Sequence, residues 1–404
     1  MTIRVRTILL LTVALATMGL ASCDHYTCGA TFGNATCTPG GTTGGGNATA
    51  YVFVSNSSAT GTIDGYTLDA GAGTFLVSSP YVGPLTTTAP IIGMVVAQNK
   101  FLYAVYSTGI YGYTVASAGD LETIQGLPVP LSLTVPAQTN WNQYVVTTNP
   151  AGTLLFISDY GTDQIYAYTI GSTGALNVVQ GSPFGLLFKP GNIAMDGSGK
   201  YLYVADYSDI HAGTGVAGFS VSGSGQLTAI PGFQSYPMFQ MQGDPSGQYL
   251  IAITGDNFSL SGLEDTHTYV YTISATGTIS PAGGSPFSTV YSPFDIAVQP
   301  VAAPGGPFIY SFSVNAGYTG DNDVEGYQLT LSPLGFSAVS GSPFGSSSLV
   351  GQAAWGGFDP SGDYLFFYSE QNMTAYSVSS TGTLTQIGPI PLTTGGYWAA
   401  VDVQ

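Results

Sequence analysis

A degenerate repeat of about fifty residues, running from residue 50 to the C-terminus, constrains this chain more than any other feature. A small or polar residue, then glycine, then an apolar residue one or two places on recurs around Gly73, Gly119, Gly174, Gly225, Gly277, Gly335 and Gly382. Upstream of each lies an apolar-x-x-aromatic-x-apolar run, such as Ile63–Tyr66–Leu68 or Ile165–Tyr168–Ile170. Upstream again is a second run, for example YVFVSN at 51–56, YLYVAD at 201–206 and YLFFYS at 364–369. Each element occurs seven times. One such unit cannot bury its apolar face alone, so the repeat decides the architecture before any local reading does.

Period-two alternation with β-branched and aromatic enrichment marks these runs as strands, and no helical periodicity interrupts them. Asn149-Pro-Ala-Gly152, Asp196-Gly-Ser-Gly199, Asp244-Pro-Ser-Gly247 and Asp359-Pro-Ser-Gly362 precede the second strand. Proline presets φ, the acid caps the turn and glycine supplies positive φ. Each unit then reads strand A, turn, strand B, loop, strand C, glycine turn, strand D, often followed by GSPF (181–184, 284–287, 341–344). The expectation is an all-β, seven-bladed β-propeller of four-stranded antiparallel blades. The first unit starts at strand B, and residues 397–404 (YWAAVDVQ) read as a strand A with nothing after it. The C-terminal strand is therefore expected to supply strand A of the first blade and close the ring, removing exposed edges.

The N-terminus reads as a targeting segment. Arg4 and Arg6 precede an apolar run from Ile8 to Met18 that is short for a membrane span. Leu20-Ala-Ser-Cys23 resembles the lipobox of bacterial lipoproteins, which implies cleavage before Cys23 and its acylation; the plainer alternative is an ordinary signal peptide cut near Ala21. Three segments result: a lipoprotein signal peptide (1–22), a Gly/Thr-rich tether (23–49) and the propeller (50–404). Cys28 and Cys37 stand close together in a compartment where disulfides persist, and a local bridge is expected over free thiols.

Cleavage would remove both arginines, leaving Lys100, Lys189 and Lys200 against 22 acidic residues. Charged residues make up 7% of the chain, against roughly 25% in ordinary soluble domains. Nucleic acid and anionic membrane surfaces need clustered Lys and Arg and are disfavoured as partners. The protein is expected to be exported and membrane-anchored, in the periplasm or at the cell surface, and monomeric.

The DPSG-Y-L, I-x-x-Y-x-I, T-G-x-L and GSPF elements resemble those of the lactonase-like seven-bladed propellers, the family of propeller-type 6-phosphogluconolactonases. YVFVSN and YLYVAD are also similar to Tyr-Val-Thr-Asn surface-protein repeats. These are scaffold motifs and speak to fold more than activity. The resemblance implies an Arg-His pair at the start of a strand A, in a Gly-Pro-Arg-His context, with an acid nearby. Here the nearest context is Lys189-Pro190-Gly191-Asn192, and residues 23–404 hold no arginine. Phosphate recognition wants bidentate cations, so phosphogluconolactonase chemistry is not expected.

Two places remain for a site. Longer B–C loops at 206–215, 255–267 and 314–323 hold Asp206, Asp209, His211, Asp256, Glu264, Asp265, His267, Asp321 and Asp323. His211 and His267, with Glu264, are candidate catalytic groups of a lactone hydrolase, against the plainer reading of polar surface loops. Asp321-Asn-Asp-Val-Glu325-Gly opens like a calcium loop, making Asp321 and Asp323 metal candidates, but its twelfth position is Ser332, and a strand start fits better. No motif requires a cofactor; a divalent ion such as calcium is the one metal suggested. The second place is the inner ring, where Asn192, Gln240, Asp295 and Gln352, with Trp141 and Trp398, could hydrogen-bond and stack on a neutral sugar, lactone or peptide. The leading expectation is a divergent ligand-binding module. The alternatives are a hydrolase of a neutral lactone and a scaffold for a surface protein partner.

Overall fold

The computed structural model describes residues 26–28, 37–39, 50–56, 62–69, 74–77, 91–116, 119–133, 145–207, 215–232, 234–236, 238–254, 265–301, 306–313, 322–346, 354–369, 372–391 and 396–402. The chain divides into two compact units, Met1–Gly45 and Gly46–Gln404. In the first, Tyr26–Cys28 pairs antiparallel with Cys37–Pro39, and Cys28 stands directly opposite Cys37. Cys23 and the expected signal peptide lie outside the described residues.

The second unit is an all-β propeller of small antiparallel blades. Six sheets, each cut from one continuous stretch, span residues 91–130, 146–185, 190–229, 240–288, 295–346 and 354–391. In these the strands follow chain order from the inner strand outward, as in Pro190–Met195, Tyr201–Asp206, Gly215–Val221 and Leu227–Ala229. A further sheet is composite: Gly396–Asp402 pairs with Ala50–Asn56, which pairs with Ile63–Asp69 and then Thr74–Val77.

The repeated motifs each have a mechanical reason. Asp196 Oδ1 accepts the Lys200 and Tyr201 amides at 2.8 and 2.7 Å, and Oδ2 accepts the Ser198 amide at 3.0 Å and its hydroxyl. Asp244 repeats the pattern with Gln248, Tyr249 and Ser246, and Asp359 does so with Tyr364 and Ser361. All three carboxylates are fully buried. They replace the water that the turn's amides would otherwise need.

The glycine turn between strands C and D seats one blade on the next. Gly277 has φ 81°, and a Cβ there would come within 2.5 Å of the Tyr201 ring of the preceding sheet. Only glycine meets both demands. The aromatic two residues further along strand B completes the joint. Tyr103 Oη donates to the Gly174 carbonyl at 2.7 Å, Tyr203 to Gly277 at 2.9 Å and Tyr310 to Gly382 at 2.6 Å. Apolar clusters lie between neighbouring blades, such as Phe312, Val324, Leu365 and Phe367, with Phe312 and Phe367 rings stacked 5.0 Å apart. In GSPF, the Ser182, Ser285 and Ser342 hydroxyls accept the strand-C amides of Ala167, Val270 and Gly326 at 2.8, 2.9 and 2.9 Å. The following Phe184, Phe287 and Phe344 then pair with strand C once more.

Candidate functional site

The inner strands share a register fixed by the acid turn. The turn residue donates its amide to the first residue of strand B: Asp196 to Tyr201, Asp244 to Tyr249, Asp359 to Tyr364, with Gln299 doing the same to Phe308. Four residues earlier on each inner strand stand Asn192, Gln240, Trp355 and Asp295. The composite sheet ends on Asp402, opposite Tyr51, and four residues back is Trp398. Four of the sequence candidates thus fall on one layer: Asn192, Gln240, Asp295 and Trp398.

The polar members of this layer join adjacent blades. Asn192 Nδ2 donates to Gln240 Oε1 at 2.5 Å, and its Oδ1 accepts the Met241 amide at 3.0 Å. Asp295 Oδ2 accepts the Gly356 amide at 3.1 Å, and Oδ1 accepts the Ile296 amide at 2.9 Å. Gln242 bridges the next gap, accepting the Val298 amide and donating to the Ile296 carbonyl. Gly356 is required because a Cβ there would lie 2.0 Å from the Phe312 ring. Burial pushes the Asp295 carboxyl up to about 7, partly offset by its two amide donors. A buried acid poised near neutrality is a functional candidate on physical grounds.

Around the sheet spanning 240–288 a second cluster forms. His267 Nδ1–H donates to Asp265 Oδ1 at 2.7 Å, while Thr254 and Tyr269 hydroxyls donate to Oδ2 at 2.6 and 2.9 Å. Burial, and next Asp265, pushes the Tyr269 phenol up to about 12, so it remains a donor. In a neutral imidazole this bond places the proton on Nδ1 and leaves Nε2 as the acceptor, the arrangement a general base needs. The crossover leading to Asp295 is pinned from both sides. Ser292 Oγ donates to the Asp265 carbonyl, and buried Glu325 accepts the Val290 and Tyr291 amides at 3.0 and 3.2 Å. Burial raises the Glu325 carboxyl above its ordinary range, against the pull of these donors.

Other candidates fare differently. His211, Glu264, Gln352, Trp141, Asp209, Asp256 and Asp321 lie outside the described residues. Asp323 belongs to the strand Asn322–Leu331, opposite Ser313 and Gly345, in keeping with the strand-start reading of that stretch. Glu325 on that strand is spent on the 290–291 amides. Among the described residues no three His, Cys, Asp or Glu side chains gather to hold a metal. Lys189, where the family pattern has its cationic context, reaches Asp163 Oδ1 at 2.6 Å and lies over the Tyr160 ring. In the blade of Gln352, which lies outside the described residues, the register position four residues before Asp359 is Trp355.

No family model matches this sequence, and no curated protein resembles it significantly. Solved structures do. A candidate 6-phosphogluconolactonase of Bacteroides uniformis is 14% identical with a TM-score of 0.65, covering 88% of this chain and 99% of its own. A candidate 6-phosphogluconolactonase of Bacteroides fragilis, also 14% identical, has a TM-score of 0.62 over 88% of this chain and 99% of its own. The periplasmic gluconolactonase of Pseudomonas aeruginosa is 12% identical with a TM-score of 0.59, covering 86% and 98%. At these identities the likeness is one of fold: a lactonase-like propeller.

Proposed function

We propose that this chain is an exported, lipid-anchored, seven-bladed propeller that binds a small neutral ring-shaped ligand, a sugar or lactone, at its central channel. Counting the composite sheet as a blade beside the six continuous ones gives the seven of this reading. Contact of strands 364–369 and 384–391 with the composite sheet supports a closed ring. Acylation at Cys23, a Cys28–Cys37 bridge suggested by their opposed register, and a monomeric state belong to the same reading. Intact-mass measurement of membrane-extracted protein, with and without reductant, tests the first two.

The observation that carries the ligand class is the inner register itself. At that register stand two amides, one carboxyl and, by strand position, Trp355 and Trp398, and none of these positions carries a cation. Neutral hydroxyl-rich rings suit amides and aromatic faces, whereas a phosphate would meet an acid and no cation there. The gluconolactonase among the structural neighbours makes D-glucono-1,5-lactone the first ligand to try. Calorimetric titration should show neutral sugars and lactones binding at least tenfold tighter than their 6-phosphates. A preference for the phosphorylated compounds would sink this reading.

A second reading, hydrolysis of a neutral lactone, draws on the Asp265–His267 pair, whose Nε2 is free of the Asp265 bond and able to take a proton from water. Turnover of a lactone panel, lost in His267→Ala or His211→Ala, is its test. Retention of activity after EDTA treatment would point to the imidazole without a metal.

A further inference from the structure

Asn192 and Asp295 do the same structural work at the same register. Each accepts the amide of the residue that follows the register position in the next blade, Met241 in one case and Gly356 in the other. A neutral amide oxygen therefore suffices for that joint. Asp295 nevertheless brings an ionisable group to a buried position. The strands packed against it are Gln240–Gly243, Tyr249–Ile253, Phe308–Ser313 and Ala354–Phe358. Their only titratable side chains are the phenols Tyr249 and Tyr310, and they carry no Lys, Arg, His, Asp or Glu. Nothing cationic on these elements holds Asp295 ionised, and two amides do so only in part; burial pushes it up to about 7. Its slight residual exposure leaves a route for proton exchange with water.

We propose that Asp295 is a proton-exchanging ligand contact: as the neutral acid it donates a hydrogen bond to an acceptor oxygen of a neutral ring, and as the carboxylate it rejects anions. The ligand class follows. Closed sugar or lactone rings are held, and the hydroxy acids formed when lactones open are turned away. The proton comes from and returns to solvent, so no co-reactant is involved. This proposal rests on the channel-binding reading above.

The test records infrared spectra of the purified protein between pH 5 and 9 for the parent and Asp295→Asn, with calorimetric titration of D-glucose and D-gluconate alongside. D-Glucose stays neutral over this range. A protonated-carboxyl band that titrates near neutrality and vanishes in Asp295→Asn is expected. Glucose affinity should fall at least tenfold from pH 5.5 to 8.5 in the parent and change less than twofold in the variant. Gluconate should bind at least tenfold more weakly than glucose at pH 8.5. If the amide variant fails to fold, Asp295→Ser keeps an acceptor without the titration. Absence of the band, its persistence in the variant, or an unchanged pH dependence in the variant overturns the proposal. A band that behaves as expected while glucose binds at no pH overturns the ligand contact together with the channel reading.

Discussion

Asp244 and Asp295 lie on consecutive blades, and both are buried, yet they sit at opposite ends of their inner strands. Asp244 follows its strand and is saturated: three backbone amides and the Ser246 hydroxyl converge on its two oxygens. Asp295 opens its strand and, among the described residues, takes one amide on each oxygen. The first carboxylate is a building part, its charge consumed by the turn it organises. The second is under-compensated, and the site retains a free choice of protonation state. Burial alone does not set a buried acid's protonation state; the count of donors around it does.

Removing the saturated acid should have the largest effect. Asp244→Ala strands three inward-facing amides and is expected to destabilise the fold by about 4 kcal/mol, read from the denaturant midpoint. A loss under about 1 kcal/mol would erase the contrast drawn above. Asp295 gives the next effect, visible in pH rather than in magnitude at one condition. Its folded value of about 7 lies above the ordinary 3.8, so the folded protein holds this proton more tightly between those limits. The stabilisation is full below about pH 4 and is lost as pH rises through about 7, on the order of 4 kcal/mol at most. Melting curves of the parent should therefore fall relative to Asp295→Asn between pH 5 and 8. Parallel curves would show the group to be as well compensated as Asp244.

Gly356→Ala tests the neighbour that feeds Asp295 its amide. The methyl would collide with the Phe312 ring, costing about 2 kcal/mol and weakening any channel ligand with it. The smallest change is Tyr203→Phe, which leaves the Gly277 carbonyl without its phenol donor. About 1 kcal/mol should be lost, with no shift in pH dependence. If Tyr203→Phe altered the pH profile, the joint between blades and the channel would not be separable.

Much of this was legible because the repeat is local. Asp, Ser and Gly in DPSG act on amides within five residues, so the turn reads directly from sequence, as do the strands B and C that it spaces. The channel layer was legible in part. Asn192, Gln240, Asp295 and Trp398 fall on it because their loops are short enough to count across. In the blade of Trp355 the sequence also offers Gln352 at a similar offset, and only the turn behind that strand fixes the register. The Asp265 cluster could not have been assembled from spacing. Thr254 reaches it from just past the strand Tyr249–Ile253 and Tyr269 from the strand His267–Ile273, and which loop acid meets His267 is decided by how the blade folds. Nor does any local pattern tell that Asn192 and Asp295 bond to the blade ahead rather than to water.

The composite sheet has a consequence for how the chain is made. Strand 50–56 emerges early, but its inner partner, 396–402, is synthesised roughly 340 residues later. Until strand 396–402 arrives, strand 50–56 presents unpaired amides and carbonyls to whatever lies nearby. Removing strand 396–402 would leave that template open, so its deletion should be scored by aggregation, not by activity.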